Sequence, residues 1–492
     1  MPGPDSETND TNIVWFRDDL RVSDHPALAH AAESGNPILP IYILDEESEN
    51  LRTFGAAQKW FLYHALAGLN SKLSKLGSPL QLFVGNSEAV LKKVVANNDI
   101  SGIYWNRRCG KGELDIDTKL KSEFSSMDFD LKSFQGNLIH EPTKTRTGQG
   151  GPYRVYTPFW RTLEGQGEPR APIPTPEKLV APKALKLDGV VDIKDLNLLP
   201  TKPDWSKGWE TLWEPNEDGA QKRLTTFLDD EISGYKEGRD FPGRKNVSRL
   251  SPHLRFGTVS PFQIWHQVKH KEAAHQIGNA DSEKFLKEVA WREFSYHLLF
   301  HFPDIGWKNF QTRFDGFPWR TDAEEHLRIW QKGMTGFPIV DAGMRELWQT
   351  GYMHNRIRMV VGSFLVKHLL IDWREGEKWF WETLLDGDPA NNTASWQWIA
   401  GCGADAAPYF RVFNPILQGK KFDADGSYVR RFVPELAKVP DNFLHNPWGA
   451  PKEMLKQWGV TLGKTYPYPI VDHSVARDRA LAAFAELKKA GE

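Results

Sequence analysis

Hydrophobic periodicity changes once along this chain, and that change constrains the fold more than any other feature. Short apolar runs recur in the first part: NIVWFR (12–17), PILPIYIL (37–44), LQLFV (80–84), GIYW (102–105) and LKSFQG (131–136). Between them lie stretches with helical spacing: HPALAHAAESG, AAQKWFLYHALAGLNSKLSKLG, SEAVLKKVVANN and GELDIDTKLKSEF. Buried strands alternating with amphipathic helices predict a doubly wound parallel α/β sheet over residues 11–136. Residues 137–215 are rich in Pro, Gly, Lys and Thr, lack sustained periodicity, and read as an interdomain connector. From 216 to 492 the spacing is helical nearly throughout, which predicts an all-α second domain.

Several function classes fall away on composition. The longest apolar runs, such as MVVGSFLV (359–366), are far shorter than the ~20 residues of a membrane span, so no membrane passage is expected. MPGPDSETNDTN has no basic start and no apolar core; residues 1–10 read as a disordered tail and the address as cytoplasmic. Cys109 and Cys402 are the only cysteines, too few for a disulfide framework or a four-cysteine cluster within the chain. No G-x-G-x-x-G follows the first strand, and no HExxH, P-loop or G-x-S-x-G occurs, so dinucleotide, protease, phosphoryl-transfer and acyl-transfer signatures are missing. Net charge is −2, so nucleic-acid binding would need a local basic patch.

Three stretches concentrate chemistry. Across 236–255, Lys236, Arg239, Arg244, Lys245, Arg249 and Arg255 face only Glu237 and Asp240, and Ser248 and Ser251 flank Arg249. Such a loop offers hydroxyls, N–H groups and a guanidinium to a phosphate; the plainer alternative is a solvated loop with Ser251 as a helix N-cap. In FLKEVAWREFSYHL, Glu288, Trp291 and Arg292 fall at i, i+3 and i+4, one helix face, either for a ligand or as an ordinary Glu288–Arg292 surface pair. In DGDPANNTASWQW (386–398), Asp386 and Asp388 admit acid and base roles, a Mg²⁺ pair, acceptors for an N–H-rich ligand, or a structural turn. Trp396 and Trp398 share a face on a strand but lie about 200° apart on a helix. The chain holds 20 tryptophans, well above the usual share; Trp319, Trp373 and Trp396 are core filler or a path for single electrons, and spacing leaves both open.

Taken together, NVSRLSPHLRFG, EVAWREF, TGFPIVDAGMRELWQTGYMHNRIRMVVGSFLVK, IDWREGEKWFWETLLDGDPANNTASWQW and FNPILQGKKFD resemble the photolyase/cryptochrome flavoprotein family, as does the opening VWFRDDLRVSDHPAL. The resemblance implies an α/β domain able to hold an antenna chromophore and a helical domain that binds FAD. It places Tyr235 and Val247, Ser248, Arg249, Leu250 and Ser251 at the FAD phosphates and ribose. It places Phe285, Glu288, Arg292, Asn355, Arg358, Asp386, Gly387, Asp388 and Asn392 around the flavin and adenine. Val247 stands where relatives often have Thr, and Phe285 where some have Trp. Trp396, Trp373 and Trp319 match the family's photoreduction chain. Arg239, Arg356 and Arg430–Arg431 would meet DNA phosphates, and Glu288, Trp291, Asn355, Met359 and Trp398 a pyrimidine dimer flipped from the duplex.

Five positions discriminate within the family. Asn392 would lie by flavin N5, where similar plant cryptochromes have an aspartate that favours the neutral flavin radical; an amide supplies no acidic proton. Glu288 and Trp291 match the dimer-binding residues of cyclobutane pyrimidine dimer photolyases, whereas plant cryptochromes lack that Trp. Asn355 and Met359 stand where (6-4) photolyases have histidines. VDAGMRELWQTG and the FPW around Trp319 look like plant cryptochromes. The mixture implies the bacterial class III branch: a monomer that repairs UV-damaged DNA by electron transfer from photoexcited reduced FAD, with Glu288 and Asn392 in catalytic roles. The alternative is a blue-light photoreceptor using the same pocket. The antenna expected for that branch is methenyltetrahydrofolate, and Glu113 is the matching carboxylate, although Cys109 and Gly110 replace a frequent Tyr–Glu. No metal is expected.

Overall fold

In a computed structural model, described over residues 10–127, 129–406 and 410–490, the chain forms two compact units. One comprises the chain up to Pro152 with Pro158–Asp230 and Ser248–Pro303; the other comprises Tyr153–Thr157, Glu231–Val247 and the chain from Asp304 onward. All but the last residue of the expected tail at 1–10 lie outside the described residues.

The first unit contains β1 (Thr11–Phe16), β2 (Ile38–Leu44), β3 (Gln81–Val84), β4 (Ile100–Asn106) and β5 (Asp130–Phe134). They form one parallel sheet in the order β3-β2-β1-β4-β5. α1 (Pro26–Glu33), α2 (Ala56–Leu76), α3 (Ser87–Ala96) and α4 (Lys111–Phe124) connect them, so the predicted α/β alternation holds element by element. β1 and β2 are buried along their whole length, which is why they read as continuous apolar runs and not as alternating ones.

In a doubly wound sheet the usual ligand crevice opens where strand order reverses, here beyond the carboxyl ends of β1 and β4. Side chains of this chain occupy that position. Arg17 Nη1 donates to Asp117 Oδ1 at 2.6 Å, and Trp105 Nε1 donates to Asp117 Oδ2 at 2.8 Å. Asn106 Nδ2 donates to Asp19 Oδ2 at 2.8 Å, with His25 Nε2 at 3.0 Å from the same oxygen. Burial by itself would raise the Asp19 carboxyl, but His25 and the Arg17 N–H bring it down to about 2.

The stretch 137–215 is not without structure: α5 (Tyr156–Gly165) lies within it. Phe159, Trp160 and Leu163 are buried, and Phe159 meets Phe294 at 5.2 Å between ring centroids. A helix this short, set among prolines and glycines, shows too few turns for its period to stand out. α6 (Asn279–His301) completes the first unit.

The second unit is helical among its described residues and includes α7 (Pro338–Thr350), α8 (Asn355–Ser363), α9 (Trp373–Thr383), α10 (Asn391–Ala400) and α11 (His473–Ala490). Their apolar faces enclose one large core containing Trp330, Trp373 and Trp396, with Trp319 and Trp398 packed against it. Gly351 and Gly401, at φ +66° and +93°, end α7 and α10 in the left-handed conformation that glycine adopts without penalty. No helix among the described residues is long and apolar enough to cross a membrane.

Candidate flavin and DNA site

The candidate residues of the first unit lie on the segment after Val247 and on α6. Arg249 has φ +52°, a left-handed conformation that costs a non-glycine residue of order 1 kcal/mol and tends to occur at ligand clamps. Ser248 Oγ accepts the Leu250 N–H at 3.4 Å, and the helix Ser251–Arg255 then begins at Ser251 itself, with Pro252 following. Ser251 is therefore not an N-cap: Leu250 holds that position and makes no side-chain cap.

On α6, Glu288 pairs with Lys284 at 2.6 Å and not with Arg292, so the plain surface pair considered from spacing is not the one formed. Arg292 instead donates from Nη1 to Asn137 O at 2.8 Å and from Nη2 to Leu254 O at 3.4 Å. Its Nε is buried with no hydrogen-bond partner. Phe285 is buried against Phe227 at 4.7 Å, and Trp291 meets Phe294 edge to face at 5.9 Å.

The second unit presents the DGDPANN turn. Asp386 Oδ2 accepts from Arg358 Nη2 at 2.8 Å, and Arg358 Nε is held by Met353 O at 2.7 Å. Asp386 Oδ1 is buried and has no partner. Asp388 differs: its Oδ1 accepts the N–H groups of Ala390 at 2.9 Å and Asn391 at 2.7 Å, closing the turn after Gly387 that leads into α10. Asn392 Nδ2 donates to Glu377 O at 3.0 Å and Glu377 Oε1 at 2.8 Å. Both Glu377 atoms are acceptors, so the amide orientation is determined and its carbonyl oxygen is turned away from Glu377.

Around the start of α8, Arg356 Nη2 is paired with Asp240 at 2.8 Å, its guanidinium lies 4.5 Å from the Phe422 ring, and Nη1 reaches Met359 Sδ at 3.6 Å. Asn355 is exposed and Tyr235 is buried, with Arg239 5.8 Å from the Tyr235 ring. Val247 donates its N–H to Lys245 O at 2.9 Å. Arg430 is committed to Asp441 at 2.6 Å and to Val439 O at 2.7 Å, leaving Arg431 as the more exposed of that pair.

Because 391–400 is helical, Trp396 points into the core at 3% exposure while Trp398 is half-buried and donates to Asp405 O at 3.1 Å. Trp396 packs on Phe380 at 5.0 Å and Trp330 at 6.3 Å. Gly376 makes this possible: a methyl there would overlap the Trp396 ring. Trp373 is fully buried and donates to Asn309 Oδ1 at 2.9 Å; Trp319 rests on Phe317 at 4.4 Å.

Glu113 sits in the first turn of α4, where its side chain folds back over Gly110; desolvation lowers the half-buried Arg108 guanidinium, but Glu113 with Asp18 and Asp117 raises it on balance. Two groups nearby had no signal in the spacing. Glu293 is buried and pushed up to about 7 by burial, partly offset by Arg292; it accepts the His140 N–H at 3.1 Å. The Cys109 thiol is pushed up to about 12 by burial and the surrounding carboxylates, so it is inert at neutral pH. A Glu beside an Arg on an amphipathic helix reads as solvated, and only tertiary packing shows otherwise.

Two family models match the chain. A family model for DNA photolyase matches residues 12–177, and one for the FAD binding domain of DNA photolyase matches 285–486. A deoxyribodipyrimidine photo-lyase of Agrobacterium fabrum is 53% identical over 97% of this chain and 98% of that protein. Cryptochrome-1 of Arabidopsis thaliana is 36% identical over 97% of this chain and 70% of that protein. The crystal structure of a bacterial class III photolyase from Agrobacterium tumefaciens superposes with a TM-score of 0.95 at 52% identity, covering 99% of both chains. On these matches and on its two-part fold, the chain belongs to the DNA photolyase family.

Proposed function

We propose that this protein repairs UV-damaged DNA in light, splitting cyclobutane pyrimidine dimers. The observation that carries the reading is Asn392, whose two N–H bonds end on Glu377, so the position expected beside the flavin offers no acidic proton. The relatives named as photo-lyases support the same activity.

The residues fit FAD. The orphaned Asp386 Oδ1 is an acceptor for an N–H of the cofactor, and the orphaned Arg292 Nε is a donor. Tyr235 and Val247 to Ser251 hold its phosphates and ribose; Phe285, Arg292, Asn355, Arg358, Asp386, Gly387, Asp388 and Asn392 hold its rings. FAD, when bound and reduced, supplies light-driven one-electron donation to the dimer. Glu288 hydrogen-bonds the dimer, Trp291 and Trp398 offer it flat apolar faces, and Arg239 and Arg356 fix the flanking phosphates. Asp240 holds the Arg356 guanidinium in an ion pair before DNA arrives. Trp319, Trp373 and Trp396 would carry an electron inward from an external reductant to oxidised FAD. Glu113 takes part in holding methenyltetrahydrofolate as antenna, and the protein acts as a cytoplasmic monomer.

The test is to illuminate fully reduced protein with dimer-bearing oligothymidine and follow absorbance at the thymine band. Recovery of the band supports repair; light-dependent flavin changes without any recovery favour the photoreceptor reading, for which the similarity to cryptochromes speaks. The absorption spectrum of the purified protein reports FAD and any antenna directly.

A further inference from the structure

The helical unit contains a cavity whose lining differs from its surroundings. Its volume is about 610 Å³, mouth included, and it is walled by Arg313, Lys367 and Arg411 and by the rings of Trp398, Phe410, Phe413 and Phe484. Three cations and four aromatic rings line it, with no carboxylate. Among the described residues neither Lys367 nor Arg313 is ion-paired: Lys367 Nζ donates to the Arg411 carbonyl at 2.5 Å, and Arg313 Nη2 donates to the Gln311 amide at 2.8 Å. Lys367 Nζ also lies 4.7 Å from the Phe410 ring.

Lys367 is buried, and burial together with Arg411 pushes its amine down to about 7. An anion at Nζ would offset that desolvation and keep the amine charged. The backbone places it there through a π-turn at Phe364–His368, directly after α8; such turns recur at functional positions. Ser363, the last residue of α8 and one helical turn beyond Met359, also lines the cavity. At the other end, Gly401 has φ +93°, a conformation L side chains rarely adopt, so that wall carries no side chain.

A cationic wall interleaved with aromatic faces is the arrangement by which proteins hold single-stranded nucleic acid, ring on ring and phosphate on cation. We infer that this cavity is a nucleotide subsite, taking a base against Trp398 and the phenylalanines and its phosphate on Lys367 and Arg313. The nucleotide is either free or part of the damaged strand; for the strand the inference rests on the repair reading, with a nucleotide flanking the dimer as occupant.

The full-length, FAD-loaded protein is titrated by calorimetry with thymidine 5′-monophosphate, inorganic phosphate and thymidine. The monophosphate should bind saturably and at least tenfold tighter than either fragment, and Lys367→Met should weaken it tenfold or more. In the second arm, oligothymidines carry the dimer at one end or internally. Lys367→Met should weaken binding about fivefold only where nucleotides extend beyond the dimer. Arg313→Gln, at the exposed rim, provides a second variant with a smaller shift in the same direction. A response to the monophosphate alone identifies a free-nucleotide site, and a response to the strand alone identifies a DNA subsite. No saturable monophosphate binding, together with unchanged oligonucleotide affinity in both variants, overturns the inference. Wild-type protein that fails to repair an isolated dinucleotide dimer in light refutes the repair reading while leaving the monophosphate arm intact.

Discussion

The carboxyl ends of β1 and β4 and the turn entering α10 both bury aspartates, yet they dispose of the oxygens differently. Asp117 is bonded at both oxygens, by Arg17 and by Trp105, and Asp19 likewise by the Arg17 N–H and by Asn106 with His25. Asp386 is bonded at one oxygen only. Fold-level analogy would place a ligand at the reversal of strand order, because open α/β sheets commonly bind there. The carboxylates point elsewhere: Asp19 and Asp117 are bonded at both oxygens, with Arg17 Nε and Asn106 Oδ1 left unpartnered beside them, whereas at the α10 turn a carboxylate oxygen itself is to spare. A buried polar atom left without a partner costs about 1–3 kcal/mol, so it persists where a ligand fills the deficit or a proton removes it.

The largest expected effect separates the two aspartates. Asp386→Ala should reduce bound FAD in purified protein to less than a tenth of the wild-type stoichiometry, read from the flavin absorbance against total protein. Asp117→Ala breaks a buried pair with Arg17 and should cost about 3 kcal/mol, seen as a lower Tm, while the protein that remains folded keeps its FAD. Equal FAD loss in both variants would erase the distinction between the two aspartates.

A second effect concerns what surrounds the proposed flavin position. Gly376→Ala forces the Trp396 ring off α9, because the added methyl overlaps it. Photoreduction of oxidised protein should fall about tenfold, while dithionite-reduced protein, which needs no electron relay, repairs dimers at its usual rate. Loss of both activities would mean that the substitution damages the pocket and not the relay.

Asn392→Asp sharpens the chemistry further. The new carboxyl would stand where the amide now touches Glu377 Oε1 at 2.8 Å, and two carboxyls that close cannot both ionise. One proton is retained, and the flavin gains a donor. Illumination under exclusion of oxygen should then accumulate the neutral radical with its long-wavelength absorbance; an unchanged radical spectrum would remove Asn392 from that role.

How much of this was legible beforehand follows physical lines. Strands such as ILPIYIL and helices such as α2 are long or continuous enough for their period to show, so the sheet and most helices could be read directly. α5 could not, since ten residues bounded by proline-rich sequence carry little periodicity. In DGDPANN the residue types announced a polar turn, but nothing in the spacing separated Asp388, which closes the turn on Ala390 and Asn391, from Asp386 with its spare oxygen. Trp396 and Trp398 divided into core and half-buried positions as soon as the segment was taken as helix. Gly376 and Glu377 were invisible because their importance lies in what α10 brings against α9.

The smallest effect tests the rule itself. Glu293 Oε1 is also buried without a hydrogen bond, with Arg292 Nη1 no nearer than 3.7 Å, yet no cofactor role falls to Glu293. Burial raises its carboxyl to about 7, so the group sheds its charge as pH falls below that value. The sign follows: a folded-state value above the unfolded ~4.5 means that the native state binds the proton more tightly, so stability is fully present at low pH. It declines as pH rises from about 4.5 and levels off above about 7. Glu293→Gln keeps a neutral amide at every pH, so the variant should gain on wild type by up to ~3 kcal/mol across that interval while binding the same FAD. Thermal melts of both proteins at pH 5, 6, 7 and 8 measure the difference. A flat difference would mean that Glu293 is ionised throughout, and its spare oxygen would then have to be counted with that of Asp386 as an acceptor awaiting a ligand.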